Sequence, residues 1–94
     1  MSQKIGPEHR IELAGEYDIA RKPELSATLE AVSNACPVAI DMSRVSFVDS
    51  TFLGELAKMR LRHVESPVTL IGVHPHVARV FRLAKLDRFF AFRE

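Results

Sequence analysis

Short apolar segments alternate with segments of helical periodicity along most of this chain. Residues 10–14 alternate apolar Ile11 and Leu13 with charged neighbours, which predicts a half-buried strand ending at Gly15. Nearly continuous apolar segments at residues 38–42, 67–73 and 89–92 predict three more strands, because a strand buried on both faces needs no polar alternation. A chain with this pattern is expected to form a sheet covered by helices.

The segments between the strands have the spacing of amphipathic helices. Pro23 suits the first turn of a helix that carries Leu25, Leu29 and Val32 on one face and closes at Ala35-Cys36-Pro37. A second helix is predicted from Ser50, and a third over residues 75–86. The element order is therefore β-α-β-α-β-α-β.

This order predicts one α/β domain built on a mostly parallel sheet of four to five strands, with helices packed against it. Crossovers between parallel strands are right-handed, although the terminal strands are free to pair in either direction. A chain of 94 residues has room for one small core, so we expect a single domain over residues 1–94. Residues 1–8, interrupted by Gly6-Pro7, are expected to be a frayed end or a short edge strand.

The composition is that of an ordinary globular protein, with 47% hydrophobic and 27% charged residues. No apolar run is long enough to span a membrane, and no signal peptide follows Met1. We therefore expect a cytoplasmic protein without membrane insertion. Cys36 is the single cysteine, so no disulfide can form within the chain.

The net charge of +1 hides an uneven distribution along the chain. Residues 1–57 hold 5 Lys/Arg and 9 Asp/Glu, whereas residues 58–94 hold 8 and 3. This predicts an acidic surface near Asp18 and Asp49 and a basic one on the later helices. The spacing of the basic residues is more typical of a solvated helix face than of a nucleic-acid interface, so we expect no direct binding of nucleic acid; these residues are Arg79, Arg82, Lys85 and Arg88.

Within residues 45–54, where an apolar strand is followed by a helix, Asp49 supplies a carboxylate and Ser50 and Thr51 supply two hydroxyls at the helix start. A hydroxyl at this position either caps the helix or receives a phosphate, and Ser50 can do both. If the predicted strands are parallel, their carboxyl ends meet at one edge of the sheet, which is where open α/β sheets usually bind ligands and partners. The polar residues expected at that edge are Glu16, Asp18, Asp49, Ser50, His74 and His76.

Enzymatic readings of this edge are weak. The edge offers the three groups of a serine hydrolase: the hydroxyl of Ser50, the imidazole of His74 or His76, and the carboxylate of Asp18. The Gly-x-Ser-x-Gly turn of such enzymes is absent, however. A metal site at His74 and His76 has no third ligand at a diagnostic spacing. No glycine-rich phosphate cradle occurs, so any ATP chemistry would belong to a partner. We expect no catalysis, no metal and no cofactor.

Four short motifs, in order, resemble the STAS domains of bacterial anti-sigma-factor antagonists. Their signature is an apolar strand followed by Asp-Ser-Ser/Thr-Gly-Leu-Gly at the start of a helix, which residues 45–54 resemble. Gly15-Glu16-Tyr17-Asp18 is similar to the family's Gly-Glu-x-Asp, and Ile40-Asp41-Met42-Ser43 is similar to its Leu-Asp-Leu-Ser. Residues 75–90 follow the pattern of its last helix and last strand.

The resemblance implies a binding protein that is controlled by phosphorylation. In this family the unmodified protein binds a GHKL-type anti-sigma kinase and so frees a sigma factor. The kinase phosphorylates the serine that follows the aspartate, and a PP2C-type phosphatase restores it. That serine is Ser50 here, with Thr51 as second choice. The expected partner-binding residues are Glu16, Asp18, Asp49, Ser50, Thr51 and Phe52.

Phe52 departs from the family pattern, which favours glycine at this position. The aromatic ring is either an exposed interface anchor or, together with Leu56 at i+4, part of the core. The alternative function is that of a STAS interaction subunit without phosphorylation, such as the small STAS component of a lipid-transporting ABC complex.

Overall fold

The computed structural model describes residues 8–32 and 36–94. These ranges contain four strands and three α-helices, with 3₁₀ turns at Ile19–Arg21 and Asp87–Phe89. The elements in chain order are β1 (His9–Tyr17), α1 (Lys22–Glu30), β2 (Val38–Val48), α2 (Ser50–Arg62), β3 (Val68–Ile71), α3 (Pro75–Leu83) and β4 (Ala91–Arg93). The predicted α/β class and element order are confirmed.

The strands of the described ranges form one sheet in the order β1-β2-β3-β4, and every neighbouring pair is parallel. Both terminal strands of the described sheet therefore run in the same direction as the central pair. Sequential order with right-handed crossovers places successive helices on the same face of the sheet.

One apolar core fills the space between the sheet and the helices. Ile40 of β2 is in register with Ile11 of β1 and Leu70 of β3, and Leu70 is in register with Phe92 of β4, so these side chains share a face. Phe81 of α3 packs edge-on against Phe92, with ring centroids 5.9 Å apart. Buried residues of α1 and α2 belong to the same cluster, among them Leu25, Leu29, Leu53, Leu56 and Met59.

The strands differ in length from the sequence prediction. β1 continues past Gly15 to Tyr17, and β2 continues from residue 42 to Val48. The register between them shifts at Glu12/Ala14 and at Gly15/Glu16, and at each shift β2 contributes one extra residue, so pairing continues past Gly15. β3 is shorter than predicted, and its last residue, Ile71, pairs with Asp41. Among the described residues, no strand pairs with the last seven residues of β2 on the β3 side.

The helices are shorter than the apolar spacing suggested. α1 ends at Glu30, and the predicted closure near Cys36 lies partly in residues 33–35, outside the described residues. α3 ends at Leu83, followed by Lys85 with a φ of 62°. β4 begins at Ala91 because Phe89 belongs to a 3₁₀ turn.

Two sequence expectations concern the chain's beginning and the membrane. The prediction for residues 1–8 falls almost wholly outside the described residues, and Glu8 has no regular secondary structure. Among the helices of the described ranges, none combines the length and the apolar character that a membrane crossing requires.

Candidate functional site

β1 and β2 end side by side at one edge of the sheet. Tyr17 and Val48, the last residues of the two strands, are paired in register. Asp18 and Asp49 follow them directly, and both have extended backbones, with φ of −110° and −121°. Parallel pairing thus places two carboxylates next to the first turn of α2, as the sequence predicted.

Each of these aspartates caps the element that follows it. An Asp49 carboxylate oxygen accepts a hydrogen bond from the Phe52 backbone N–H at 3.1 Å, and an Asp18 oxygen accepts one from the Ala20 N–H at 3.0 Å. Asp49 is therefore the N-cap of α2, and Ser50 is its first helical residue. The reading in which Ser50 serves only as the cap is wrong, because the residue before it does that work.

Ser50 is exposed to solvent and Thr51 is half-buried. The first N–H groups of a helix have no acceptor within the helix, and they carry the positive end of its dipole. Asp49 accepts from the N–H of Phe52, and the amides of Ser50 and Thr51 belong to the same first turn, where the helix itself offers no acceptor. An anionic group on the Ser50 hydroxyl would lie beside these donors without entering the core.

Phe52 lies inside the protein. Its side chain is 1% exposed, and its ring centroid is 5.2 Å from that of Tyr17, which is also buried. Leu56, one helical turn later, is buried on the same side of α2. The prediction of Phe52 as an exposed partner-binding residue is therefore wrong, and the core alternative is correct. Phe52 therefore packs beneath the edge and is not part of its exposed surface.

Arg21 supports this edge, and the sequence analysis missed it. Its guanidinium lies 3.9 Å from the centroid of the Tyr17 ring, and its nitrogens donate to the backbone oxygens of Ala14 at 2.7 Å and Glu16 at 3.3 Å. Arg21 thus packs against the last residues of β1 and binds their backbone oxygens. The glycine at position 15, whose φ is +93°, could have indicated an unusual backbone here. Nothing in the sequence indicates that Arg21 is the side chain that packs beside it.

Arg21 is held in turn by Glu24 of α1. The two side chains form an ion pair with a nitrogen–oxygen distance of 2.6 Å. This hydrogen bond lowers the pKa of Glu24 and raises the pKa of Arg21 from their ordinary values. The contacts link α1 to the carboxyl end of β1, so the edge beneath Asp18 is held by packing and hydrogen bonds together.

The end of β3 does not reach the edge where β1 and β2 end, contrary to the expectation that all strand ends meet, and His74 and His76 contact β2 from its free side. Nε2 of His74 is 3.0 Å from the backbone oxygen of Ser43, and Nε2 of His76 is 2.8 Å from that of Ser46. β3 ends level with Asp41, so these side chains reach the free side of β2 before its last residues. They occupy backbone acceptors that a longer β3 would have used.

The predicted residues that the structure brings to the edge form what we call the junction surface. Its members are Glu16, Asp18, Asp49, Ser50 and Thr51. Three of the five are carboxylates, so the surface is acidic before any modification. In the part of the chain that the structure describes, no group of three or more His, Cys, Asp or Glu side chains is arranged to hold a metal ion.

Comparison with known families and proteins agrees with this architecture. A family model described as Mlab, STAS domain matches residues 2–93. The anti-sigma-B factor antagonist of Listeria monocytogenes is 34% identical over 79 residues, which cover 80% of this chain and 69% of that protein.

Two solved structures share the fold. A putative anti-sigma factor antagonist from Thermotoga maritima has a TM-score of 0.80 and 20% identity, covering 97% of this chain and 83% of that one. The anti-sigma factor antagonist SpoIIAA in its unphosphorylated form has a TM-score of 0.66 and 21% identity, covering 90% of this chain and 76% of that one. With the family model spanning nearly all its residues, this chain belongs to the STAS domain family and is related to bacterial anti-sigma factor antagonists.

Proposed function

We propose that this protein is an anti-sigma factor antagonist, a non-catalytic binding protein whose junction surface is switched by phosphorylation of Ser50. The observation that carries the proposal is that Asp49 and Ser50 have different roles at the start of α2. Asp49 caps the helix, so the exposed Ser50 hydroxyl is not needed for folding. A relative named anti-sigma-B factor antagonist, 34% identical to this chain, supports the same reading.

The partner in this proposal is a GHKL-type anti-sigma serine kinase. The unmodified junction surface binds the kinase, which then releases its sigma factor. The Ser50 oxygen attacks the γ-phosphorus of ATP, an O–P bond forms, and the bond to the ADP oxygen breaks. The hydroxyl proton passes to a base of the kinase. A PP2C-type phosphatase later hydrolyses the phosphoserine, and all of these steps take place in the cytoplasm.

Phosphorylation changes the surface and leaves the fold intact. A phosphate on Ser50 adds about 1.5 to 2 negative charges at neutral pH. The amides at the start of α2 and the helix dipole stabilise this charge, whereas Asp18 and Asp49 make the surface more strongly acidic. A partner surface that fits the unmodified serine is then repelled by the added negative charge and blocked by the volume of the phosphate. Binding is lost without unfolding.

The proposal is tested by phosphorylation and binding with a purified anti-sigma kinase and labelled ATP. We expect the kinase to label wild type and Thr51→Ala but not Ser50→Ala. Ser50→Asp should bind the kinase about tenfold more weakly or worse, because it places a fixed charge in the interface. Ser46→Asp, which adds the same charge at an exposed position of β2, should bind like wild type. Full labelling of Ser50→Ala would remove Ser50 from this role.

A second candidate is a STAS interaction subunit without a phosphorylation switch, such as the small STAS component of a lipid-transporting ABC complex. The description of the matching family model, Mlab, STAS domain, does not name antagonism and favours keeping this candidate. It predicts co-purification with an ATPase subunit that Ser50→Asp leaves unchanged and no labelling of Ser50 by any anti-sigma kinase.

A further inference from the structure

A second surface, distinct from the junction surface, lies where the carboxyl-terminal half of α2 meets the 3₁₀ turn before β4. It is a groove of about 220 Å³ lined by Ala57, Arg60, Leu61, Leu86, Phe89 and Phe90. Leu61 is 75% exposed and Phe89 is 49% exposed. Large apolar side chains scattered singly are normal on a protein surface, but these two form the walls of one concavity.

The walls of this groove are held in place by hydrogen bonds. Nε of Arg60 donates to the backbone oxygen of Phe89 at 2.7 Å, and Nη1 donates to that of His63 at 2.8 Å. The amide of Phe89 donates to the Leu86 oxygen at 3.0 Å. The end of α2 and the 3₁₀ turn are thus joined, so a ligand would find the groove already formed.

A basic pocket adjoins the groove and shares Phe89 with it. Its volume is about 580 Å³, and it is lined by Arg82, Lys85, Asp87, Arg88 and Phe89. Three cations therefore face one carboxylate. Of the salt bridges found in the described residues, none involves Arg82, Lys85 or Arg88. Their positive charge is available to a ligand.

We propose that the groove and the basic pocket together bind a segment of a partner protein in which a large apolar residue lies next to carboxylates. The groove has room for one Leu, Phe or Met side chain, and the neighbouring cations complement Asp or Glu beside it. A concavity favours an inserted side chain of a peptide over a membrane, since a lipid surface is engaged by apolar groups that project from the protein.

This surface is independent of the Ser50 switch. Leu61 follows Ser50 by eleven residues of α2, which is about 16 Å along the helix axis. A partner segment at the groove therefore does not need the junction surface to be unmodified. Peptide binding there is expected to be the same for wild type and Ser50→Asp.

The test is selection of random displayed linear peptides on the immobilised full chain, followed by affinity measurement with the enriched synthetic peptides. We expect enriched sequences to combine Leu, Phe or Met with neighbouring Asp or Glu. Leu61→Glu should weaken their binding by about tenfold or more, as removal of an interface anchor does. Arg88→Ala should weaken it less and reduce its dependence on salt.

Two matched variants serve as controls. Leu83→Glu changes an equally exposed leucine that lines neither cavity, and Arg79→Ala removes an exposed cation of α3 outside both. Both should bind the peptides like wild type. Enrichment of basic sequences, or equal binding by Leu61→Glu, would overturn the proposal.

Vesicles of phosphatidylcholine with and without phosphatidylglycerol provide the membrane arm of the test. The proposal predicts no sedimentation of the protein with either. Sedimentation with the anionic vesicles that Leu61→Glu abolishes would show a lipid site and contradict a peptide site. Neither result bears on Ser50, so failure here leaves the proposed function to its own test.

Discussion

Gly15 shows how one residue affects the edge where β1 and β2 end. The φ of Gly15 is +93°, and a Cβ built there would lie 3.0 Å from Nη1 of Arg21. A residue with a Cβ would adopt a strained backbone here and would push the guanidinium at the end of β1 aside slightly. The backbone at this position and the placement of Arg21 beside it therefore favour a glycine.

Gly15→Ala is expected to lower the free energy of unfolding by about 1–2 kcal/mol, because an L side chain at this φ is unfavourable. Gly54→Ala is the matched control. Gly54 is an exposed helical residue of α2 whose added Cβ would meet nothing within 4 Å, so the same change should raise stability by up to about 1 kcal/mol. Urea denaturation of both variants measures the difference. Equal effects would mean that the backbone at Gly15 is not strained by a side chain.

Phe52 shows that a local sequence pattern does not predict which way a side chain points. The sequence places an aromatic in the first turn of an amphipathic helix, and a turn of helix can point such a ring inward or outward. The position of the Tyr17 ring, 5.2 Å away, makes the inward direction favourable. Tyr17 lies 35 residues earlier in the chain, so no local pattern reveals this partner.

At the scale of elements, the staggered ends of the strands decide which side chains meet. β1 and β2 end together, whereas β3 ends at the level of Asp41. On the free side of β2, His74 therefore contacts the backbone oxygen of Ser43 and His76 that of Ser46, two residues before the strand ends. A free strand edge is prone to pairing with other chains, and side chains that cover it reduce this risk.

α2 is connected to the 3₁₀ turn before β4 by Arg60. We expect Arg60→Ala to lower the free energy of unfolding by about 1–3 kcal/mol, since it removes two hydrogen bonds from a charged donor to backbone oxygens. Native-state hydrogen exchange should show faster exchange of the amides of Leu86 and Phe89, which donate to the backbone oxygens of Phe81 and Leu86, respectively.

Arg79→Ala, at an exposed position of α3, is the control for this prediction and should leave both amides unchanged. Exchange of the Ile40 amide in the centre of the sheet should also remain slow in Arg60→Ala. Unaltered protection of Phe89 would show that the turn is held by its apolar contacts and not by Arg60.

At the scale of the whole molecule, several carboxylates are stabilised in their charged form. The hydroxyl and the amide of Ser43 lower the pKa of Asp41, with a smaller contribution from Arg10 3.2 Å away. The hydrogen bond from Lys58 lowers the pKa of Glu55, a buried residue of α2, although burial itself acts in the opposite direction. In each case the unfolded chain binds a proton more readily than the folded one.

These shifts predict the pH dependence of stability. Because the pKa of Asp41 is lowered by folding, its contribution is fully present above its ordinary pKa and is lost as the pH falls below about 4. Asp41→Asn should therefore be less stable than wild type at neutral pH by about 1 kcal/mol, and the difference should narrow in acid. Urea denaturation at a series of pH values measures this, with Glu65→Gln, an exposed carboxylate after α2, as control. A constant difference across the series would contradict the assignment.

Much of the architecture follows from local pattern. The period of the apolar residues defines the strands and helices, and the alternation of these elements leaves a parallel sheet as the natural arrangement. Asp18 and Asp49 could be placed at one edge because each lies between a predicted parallel strand and the helix that follows it. The extensions of β1 and β2 were missed because polar residues such as Ser43 and Arg44 interrupt the apolar pattern, while backbone pairing with the neighbouring strand continues regardless.

The α/β fold class, the order of the elements and the position of Ser50 at the start of a helix could all be predicted from the amino-acid sequence, since these depend on periodicity and on neighbours in the chain. Three features depend on the assembled fold: the burial of Phe52 against Tyr17, the support of the end of β1 by Arg21, and the contacts of the two histidines with the free side of β2. Each of these depends on strand register and on contacts between residues distant in sequence, and local propensity carries no information about such pairs.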